Sequence, residues 1–417
     1  MLSIAFAALV VASSPVDEKR HEQIAVLVEL NKSGRDPVVI FRLADLYLED
    51  SREHGEDPKL RQQAIVLLAD LAQRNPEFER ADEVLFLLGK TLLDANDEKR
   101  AAVAFKRLVT QHPQSRFVAE SHFALGEQLF AKSNGRRDWL KRALAEYEAA
   151  ATPDAIYKQG WCQLNLGDFA AAQAKFREVI SLGGARATDA EKDFVRAYEK
   201  GGGTSVEFPV LTRDAKRQRA LKMMLAELYS EDGFDAEAAL TWKALISEDP
   251  KASEALKFQQ RIVASVLRMG RKQVVVAQVQ KLVKMAGEID GDVSDAEPML
   301  AKLATSWHTE CRKTREDGCL VNAGAIYDAY LTLFPSVARA YELRFFHAEL
   351  LYDSSDFTRA AAEYRLVVEY DVASGKPGKF MEAAALGEIN AREAMIAASL
   401  PHQGAIDSED AMLVASL

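Results

Sequence analysis

The chain has 417 residues, enough for two or three globular domains or for one extended array. Hydrophobic residues make up 48% and charged residues 28%, the balance of a soluble folded protein. A net charge of −10 with no long run of Lys or Arg speaks against non-specific binding to nucleic acid or anionic lipid, both of which need basic patches.

The first element is "MLSIAFAALVVASSP", apolar from Leu2 to Ala12. It is too short to span a bilayer as a mature helix. It fits the apolar core of a secretory signal peptide, with small residues for cleavage after Ala12, so residues 1–14 are read as a signal-peptide-like segment. No Lys or Arg precedes the run, and an apolar start on a cytoplasmic protein is the other reading. No Cys follows to carry a lipid anchor, and no later stretch is apolar enough to cross a membrane. "HEQIA" at His21 begins like a zinc-protease motif but lacks the second His that clamps the metal.

A spacing then repeats along the chain. A small residue is followed four positions later by a large one and three further by an apolar one, which puts all three on one helix face. The copies are Ala64/Leu68/Leu71, Ala101/Phe105/Leu108, Ala143/Tyr147/Ala150, Ala172/Phe176/Val179, Ala238/Trp242/Leu245, Ala323/Tyr327/Tyr330 and Ala360/Tyr364/Val367. Val275/Val279/Leu282 reads as a degenerate copy. Pro76, Pro113, Pro250 and Pro335 each stand five residues past the last position of a copy, where a proline stops a helix. A second small residue lies twelve before the first in four copies: Gly89, Gly160, Ala226 and Ala348. This predicts helical hairpins in which a small residue on one helix admits a large ring from the other. Insertions before Ala64 and Ala143 lengthen two hairpins. "TDAEKDFVRAYEK" reads as a helix that loses its partner in the Gly-rich "GGGTSVEFP", and "GKFMEAAALGEINAREAMIAASL" as a closing helix. Intervals of a few tens of residues mark a stacked array of about eight hairpins, not a globular core.

The stretches "GWCQLNLGDFAAAQAKF", "LLGKTLLDANDEKRAAVAFKRLVTQHP" and "AELYSEDGFDAEAALTWKALISEDP" resemble the tetratricopeptide repeat (TPR) family over most of residues 38–400. Gln163 departs from it, standing where an aromatic is usual. The resemblance implies an all-α, TPR-like α-solenoid: a right-handed superhelix of stacked antiparallel helix pairs. The expected organisation is an N-terminal array over 15–200, a Gly-rich linker or degenerate repeat over 201–212, a C-terminal array over 213–400 and a tail over 401–417. "FRLADLYLEDSR", "YKQGWCQLNLGDF" and "KDFVRAYEKGG" also look like exported TPR proteins of myxobacteria, some tied to gliding motility.

The first helices of TPR hairpins line the groove in which partners bind. By that resemblance Tyr157, Lys158, Trp161 and Asn165, and Phe345, Phe346, Glu349 and Tyr352, are the expected partner-binding residues; packing against the next repeat is the other reading for these aromatics. Neither "GGARATDAEK" nor "GGGTS" has the GK[ST] ending of a phosphate loop. "DGDVSDAE" (Asp290–Glu297) has Asp295 where a calcium loop needs Gly. No catalytic constellation, metal site or cofactor motif stands out. Of the three cysteines, Cys311 and Cys319 are placed to pair across a helical turn in an exported protein; three buried thiols is the alternative, and Cys162 is unpaired in both. The expected function is a non-enzymatic protein–protein scaffold of the bacterial cell envelope, periplasmic or envelope-associated, within a motility or envelope-spanning complex. A cell-wall-associated accessory subunit of an enzyme complex and a cytoplasmic TPR adaptor are the rival readings. Its expected partners are proteins or their helical segments, with no nucleic acid and no membrane span in the mature chain.

Overall fold

Nineteen α-helices and no strand cover the described residues of the computed structural model, which are 15–34, 36–316 and 318–399. The signal-like segment 1–14 and the tail 401–417 lie outside them. Two units divide at Gly202 and Gly203. The first holds α1 (Pro15–Gly34), α2 (Pro37–Glu53), α3 (Pro58–Arg74), α4 (Ala81–Asp94), α5 (Glu98–Gln111), α6 (Val118–Ser133), α7 (Arg137–Ala150), α8 (Pro153–Leu166), α9 (Phe169–Leu182) and α10 (Ala187–Lys200). The second holds α11 (Ala215–Glu231), α12 (Asp235–Glu248), α13 (Glu254–Arg268), α14 (Lys272–Glu288), α15 (Ala296–Thr314), α16 (Cys319–Leu333), α17 (Ala338–Asp353), α18 (Phe357–Ser374) and α19 (Met381–Ser399).

Local chemistry sets the helix ends. Asp36, Asp57 and Thr152 cap α2, α3 and α8 with a side-chain oxygen on a first-turn N–H, and a proline follows each cap, where its missing N–H costs nothing. Asp97, Asp168 and Asp356 cap α5, α9 and α18 in the same way. Helices α3, α5, α12 and α16 each end two residues before Pro76, Pro113, Pro250 and Pro335. Gly167, at φ 81°, provides the left-handed residue that turns α8 into α9.

Within each unit the helices pack on their chain neighbours, except that α14 passes over α15 and packs on α16. Four hairpins stack in the first unit (α2–α3, α4–α5, α6–α7, α8–α9), with α1 against α2 and α10 closing on α9. Four stack in the second (α11–α12, α13–α14, α15–α16, α17–α18), closed by α19. The sequence spacing is the core. In all eight copies, the degenerate Val275/Val279/Leu282 included, no residue of the triplet is more than 4% exposed. Burying each large side chain contributes about 1.5–3 kcal/mol, and none of these helices can do so alone.

The small residue on the facing helix is a steric requirement. A Cβ added at Gly89 would lie 2.6 Å from the Phe105 ring, and one at Gly160 equally close to Phe176. Gly126 takes the same role against Tyr147, at 2.7 Å, although extra helical residues at the end of α6 and the start of α7 move it out of the twelve-residue spacing. On the closing helix, Gly387 faces Tyr364 at 2.7 Å.

Hairpins built on tyrosine carry a further tie. The Tyr147 hydroxyl donates to Glu127, Tyr330 to Glu297 Oε1 at 2.6 Å, and Tyr364 to Glu349, each from the second helix to the first. The Phe105 and Phe176 hairpins have no such bond. Cys311, in the last turn of α15, is bonded to Cys319 at the start of α16, with Cα atoms 5.5 Å apart; Cys162 is free and buried. Closing so short a loop restricts the unfolded chain by about 2–3 kcal/mol. Reduction, or Cys311→Ser, is therefore expected to lower the second unit's urea midpoint and leave the first unit's unchanged. Peptide mapping without reductant should recover the two cysteines in one linked fragment.

Candidate functional site

The first helices of successive hairpins in the N-terminal unit present a row of polar and aromatic side chains that interlock from helix to helix. On α6, Glu127 accepts from Lys158 Nζ of α8 at 2.9 Å, and the same ammonium lies 5.6 Å from the centre of the half-buried Phe130 ring. On α8, Trp161 Nε1 donates to Asp193 Oδ2 of α10 at 3.1 Å, while Tyr157 donates its hydroxyl to the same oxygen at 2.5 Å. Arg196 closes on the other Asp193 oxygen at 3.1 Å. Asn165, fully at the surface, donates its amide to the Trp161 carbonyl at 2.7 Å. Toward α4 the row continues through Lys90, paired with Glu120 of α6 and set over Phe86.

Burial shapes the titration of this row. It raises the Asp193 carboxyl above its ordinary value, against the hydrogen bonds from Tyr157 and Trp161 and the charge of Arg196, all of which favour the anion. It pushes the Tyr157 hydroxyl up to about 12, reinforced by the bond to Asp193.

The expected binding residues divide by orientation. Tyr157 is buried, with its ring 5.8 Å from that of Phe176. Lys158, Trp161 and Asn165 keep accessible surface. In the second unit Phe345 is buried and stacks on Phe380 at 4.5 Å; Phe346 is half-buried beside both. Glu349 is engaged by Tyr364, and Tyr352 is 36% exposed with its ring edge-on to Phe357 at 5.3 Å. Tyr157 and Phe345 thus belong to the interior, and the residues that could touch a partner are the other six.

Asp193 and Glu127, which hold this surface together, carry no motif in the sequence; the only signal is a carboxylate among apolar residues in "EKDFVRAYEK". The remaining motifs settle into structural roles. His21 contacts Asp50 at 3.3 Å, with His54 close by, but Arg20 occupies the centre of that acidic group through Asp17, Asp50 and Glu53. In "DGDVSDAE", Asp292 accepts the Ser294 N–H at 2.8 Å, and Glu297 takes Tyr330 and Arg339. Among the described residues no group of three or more His, Cys, Asp or Glu is arranged to hold a metal, and no helix is long and apolar enough to cross a membrane.

A tetratricopeptide repeat family model matches residues 83–115 and 154–182, which are the α4–α5 and α8–α9 hairpins. No curated protein sequence matches the chain. Among solved structures, the C-terminal part of a TPR repeat-containing protein from Cytophaga hutchinsonii is 13% identical, with 79% of this chain and 95% of that one covered, at a TM-score of 0.37. A tetratricopeptide repeat protein from Parabacteroides merdae is 12% identical, covering 88% and 99%, at 0.30. A chain in the structure of Naa15/Naa10 bound to HypK-THB is 10% identical, covering 90% and 68%, at 0.33.

Proposed function

We propose that the repeats serve as a non-enzymatic scaffold, and that the α6–α8–α10 face of the N-terminal unit holds a segment of a partner protein. The supporting observation is the interlocked row Glu127–Lys158, Trp161–Asp193–Arg196. Its side chains are fixed before any partner arrives, so little rotamer freedom is lost on binding. It combines a half-exposed indole and a phenyl ring with polar groups at the rim, the composition of protein-recognition surfaces. Asn165 has a side-chain carbonyl to offer a partner's backbone N–H.

The setting we infer is the bacterial envelope, within a motility or envelope-spanning complex. Export is supported by the apolar run Leu2–Ala12, which lies outside the described residues, and by the Cys311–Cys319 bond, which suits an oxidising compartment. N-terminal sequencing of the native protein tests it: a mature start just after Ala12 is expected, and an intact Met1 overturns export.

The scaffold reading is tested by affinity purification of the full chain from envelope fractions, beside Lys158→Ala and Asn165→Ala. Asn165 is exposed and Lys158 is half-buried in a single ion pair with Glu127, so stability should change by less than about 1 kcal/mol. Recovery of the captured partner should fall by about tenfold, equivalent to ~1.4 kcal/mol. Variants that recover the same partners at the wild-type level would remove this face from the function. Capture of isolated cell wall with no stable protein partner would favour an accessory subunit of a wall enzyme.

A further inference from the structure

The α15–α16–α17 stack contains an arrangement that packing alone does not call for. The wholly buried Tyr327 of α16 lies between two histidines. His308 of α15 meets its ring edge-on at 6.0 Å, and His347 of α17 stacks on it at 5.4 Å with the planes 16° apart. In the α4–α5, α6–α7 and α8–α9 hairpins a glycine of the first helix receives the ring; here imidazoles flank it.

His347 is fully buried, and neither of its ring nitrogens has a hydrogen-bond partner among the described residues. Its nearest carboxylate, Asp328 of α16, stands 3.6 Å away and is already held by Arg359 of α18 at 2.5 Å. The other charges facing it are Arg344 on α17 and Glu363 on α18, paired at 2.8 Å, with Asp356 at the start of α18 beside Arg359. The carboxylates around the imidazole are already held by Arg344 and Arg359, so a proton on His347 would place a charge in the interior without a carboxylate of its own. His308 is buried as well: Nδ1 lies 3.4 Å from the Tyr327 hydroxyl, and Nε2 has no hydrogen-bond partner among the described residues. Asp353 of α17, 4.0 Å from Nε2, is shared with Arg312. Toward α14, Lys272 pairs with Glu310.

We propose that the His308–Tyr327–His347 stack is an acid-sensitive latch: its neutral imidazoles hold α15, α16 and α17 together, and mild acid opens this part of the second unit. Burial, then Arg359 and Arg344, pulls His347 down from 6.5 to about 3, and burial lowers His308. The unfolded histidines accept protons near 6.5 while the folded ones refuse them. The stabilisation is complete above that value and is lost as pH falls below it. Asp328 and Glu363 act in the opposite sense: burial raises both, so the folded state protonates first and acid favours it as pH falls from their raised values to the ordinary 3.8 and 4.5, which offsets part of the histidine effect.

The test is hydrogen exchange of the full chain at pH 7.5 and pH 5.5, corrected for intrinsic exchange rates. One pH unit below 6.5, His347 alone should raise the opening of α15–α17 by about tenfold, and His308 should add to it. The hairpins α4–α5 and α8–α9, which have no buried histidine, should not respond. His347→Phe keeps the stacked ring and removes the titration, so it should remove about that tenfold factor. Protection of α15–α17 that ignores pH, or a His347→Phe chain with the wild-type response, overturns the latch. Should that variant fail to fold, exchange of the histidine C2 protons in the wild-type chain decides: a His347 still neutral at pH 5.5 sustains the proposal, and one titrating near 6.5 overturns it.

Discussion

Phe176→Ala is expected to destabilise the N-terminal unit by about 3–5 kcal/mol, the range for removing a large side chain from a closed core. The ring is wholly buried against Gly160, with Tyr157 at 5.8 Å and Trp161 edge-on at 6.3 Å, so no neighbour can collapse into the space without leaving its own bonds to Asp193. In a stack whose members touch only their neighbours, the loss should decay with distance. Hydrogen exchange should show α8, α9 and α10 deprotected most, α2–α3 least, and the second unit unchanged. Equal deprotection everywhere would mean that the chain unfolds as one cooperative block. Because Trp161 rests on Phe176, the same variant should also weaken partner capture.

Gly160→Val attacks this contact from the other side. A first carbon at position 160 would already lie 2.6 Å from the Phe176 ring, and valine adds two more. The helix gains only a few tenths of a kcal/mol in propensity, against an overpacking cost of about 3 kcal/mol. The double variant, Gly160→Val with Phe176→Ala, places the valine methyl groups where the ring stood. It should be less destabilised than the sum of the singles, by about 1–2 kcal/mol. Chemical denaturation of the four proteins measures the coupling; strict additivity would show that the two residues do not meet as described.

The repeat was legible because its signal is local and periodic. Ala172, Phe176 and Val179 share a helix face by spacing alone, and Pro113 or Pro335 ends its helix wherever the rest of the chain lies. Legibility failed where tertiary geometry decided. Tyr157 and Lys158, or Phe345 and Phe346, are adjacent in the chain, so about 100° of helix rotation separates each pair. One member of each pair turns toward the core, and the resemblance that proposed all four could not say which. Gly126 escaped because extra helical residues on either side of the α6–α7 turn change the spacing although the contact is unchanged. His308 and His347 are 39 residues apart with no periodic relation, and only the stacking of α15 and α17 on either side of α16 brings them to one tyrosine.

The tyrosine–carboxylate ties have a mechanical consequence. In α4–α5 and α8–α9 the helices meet through a phenyl ring on bare glycine backbone, a contact without direction that tolerates sliding. In α6–α7, α15–α16 and α17–α18 a charge-assisted hydrogen bond must break before the helices can shear. Under a pulling force the hairpins would therefore yield unevenly, with the phenylalanine hairpins creeping at low load and the tyrosine hairpins snapping at a sharper threshold.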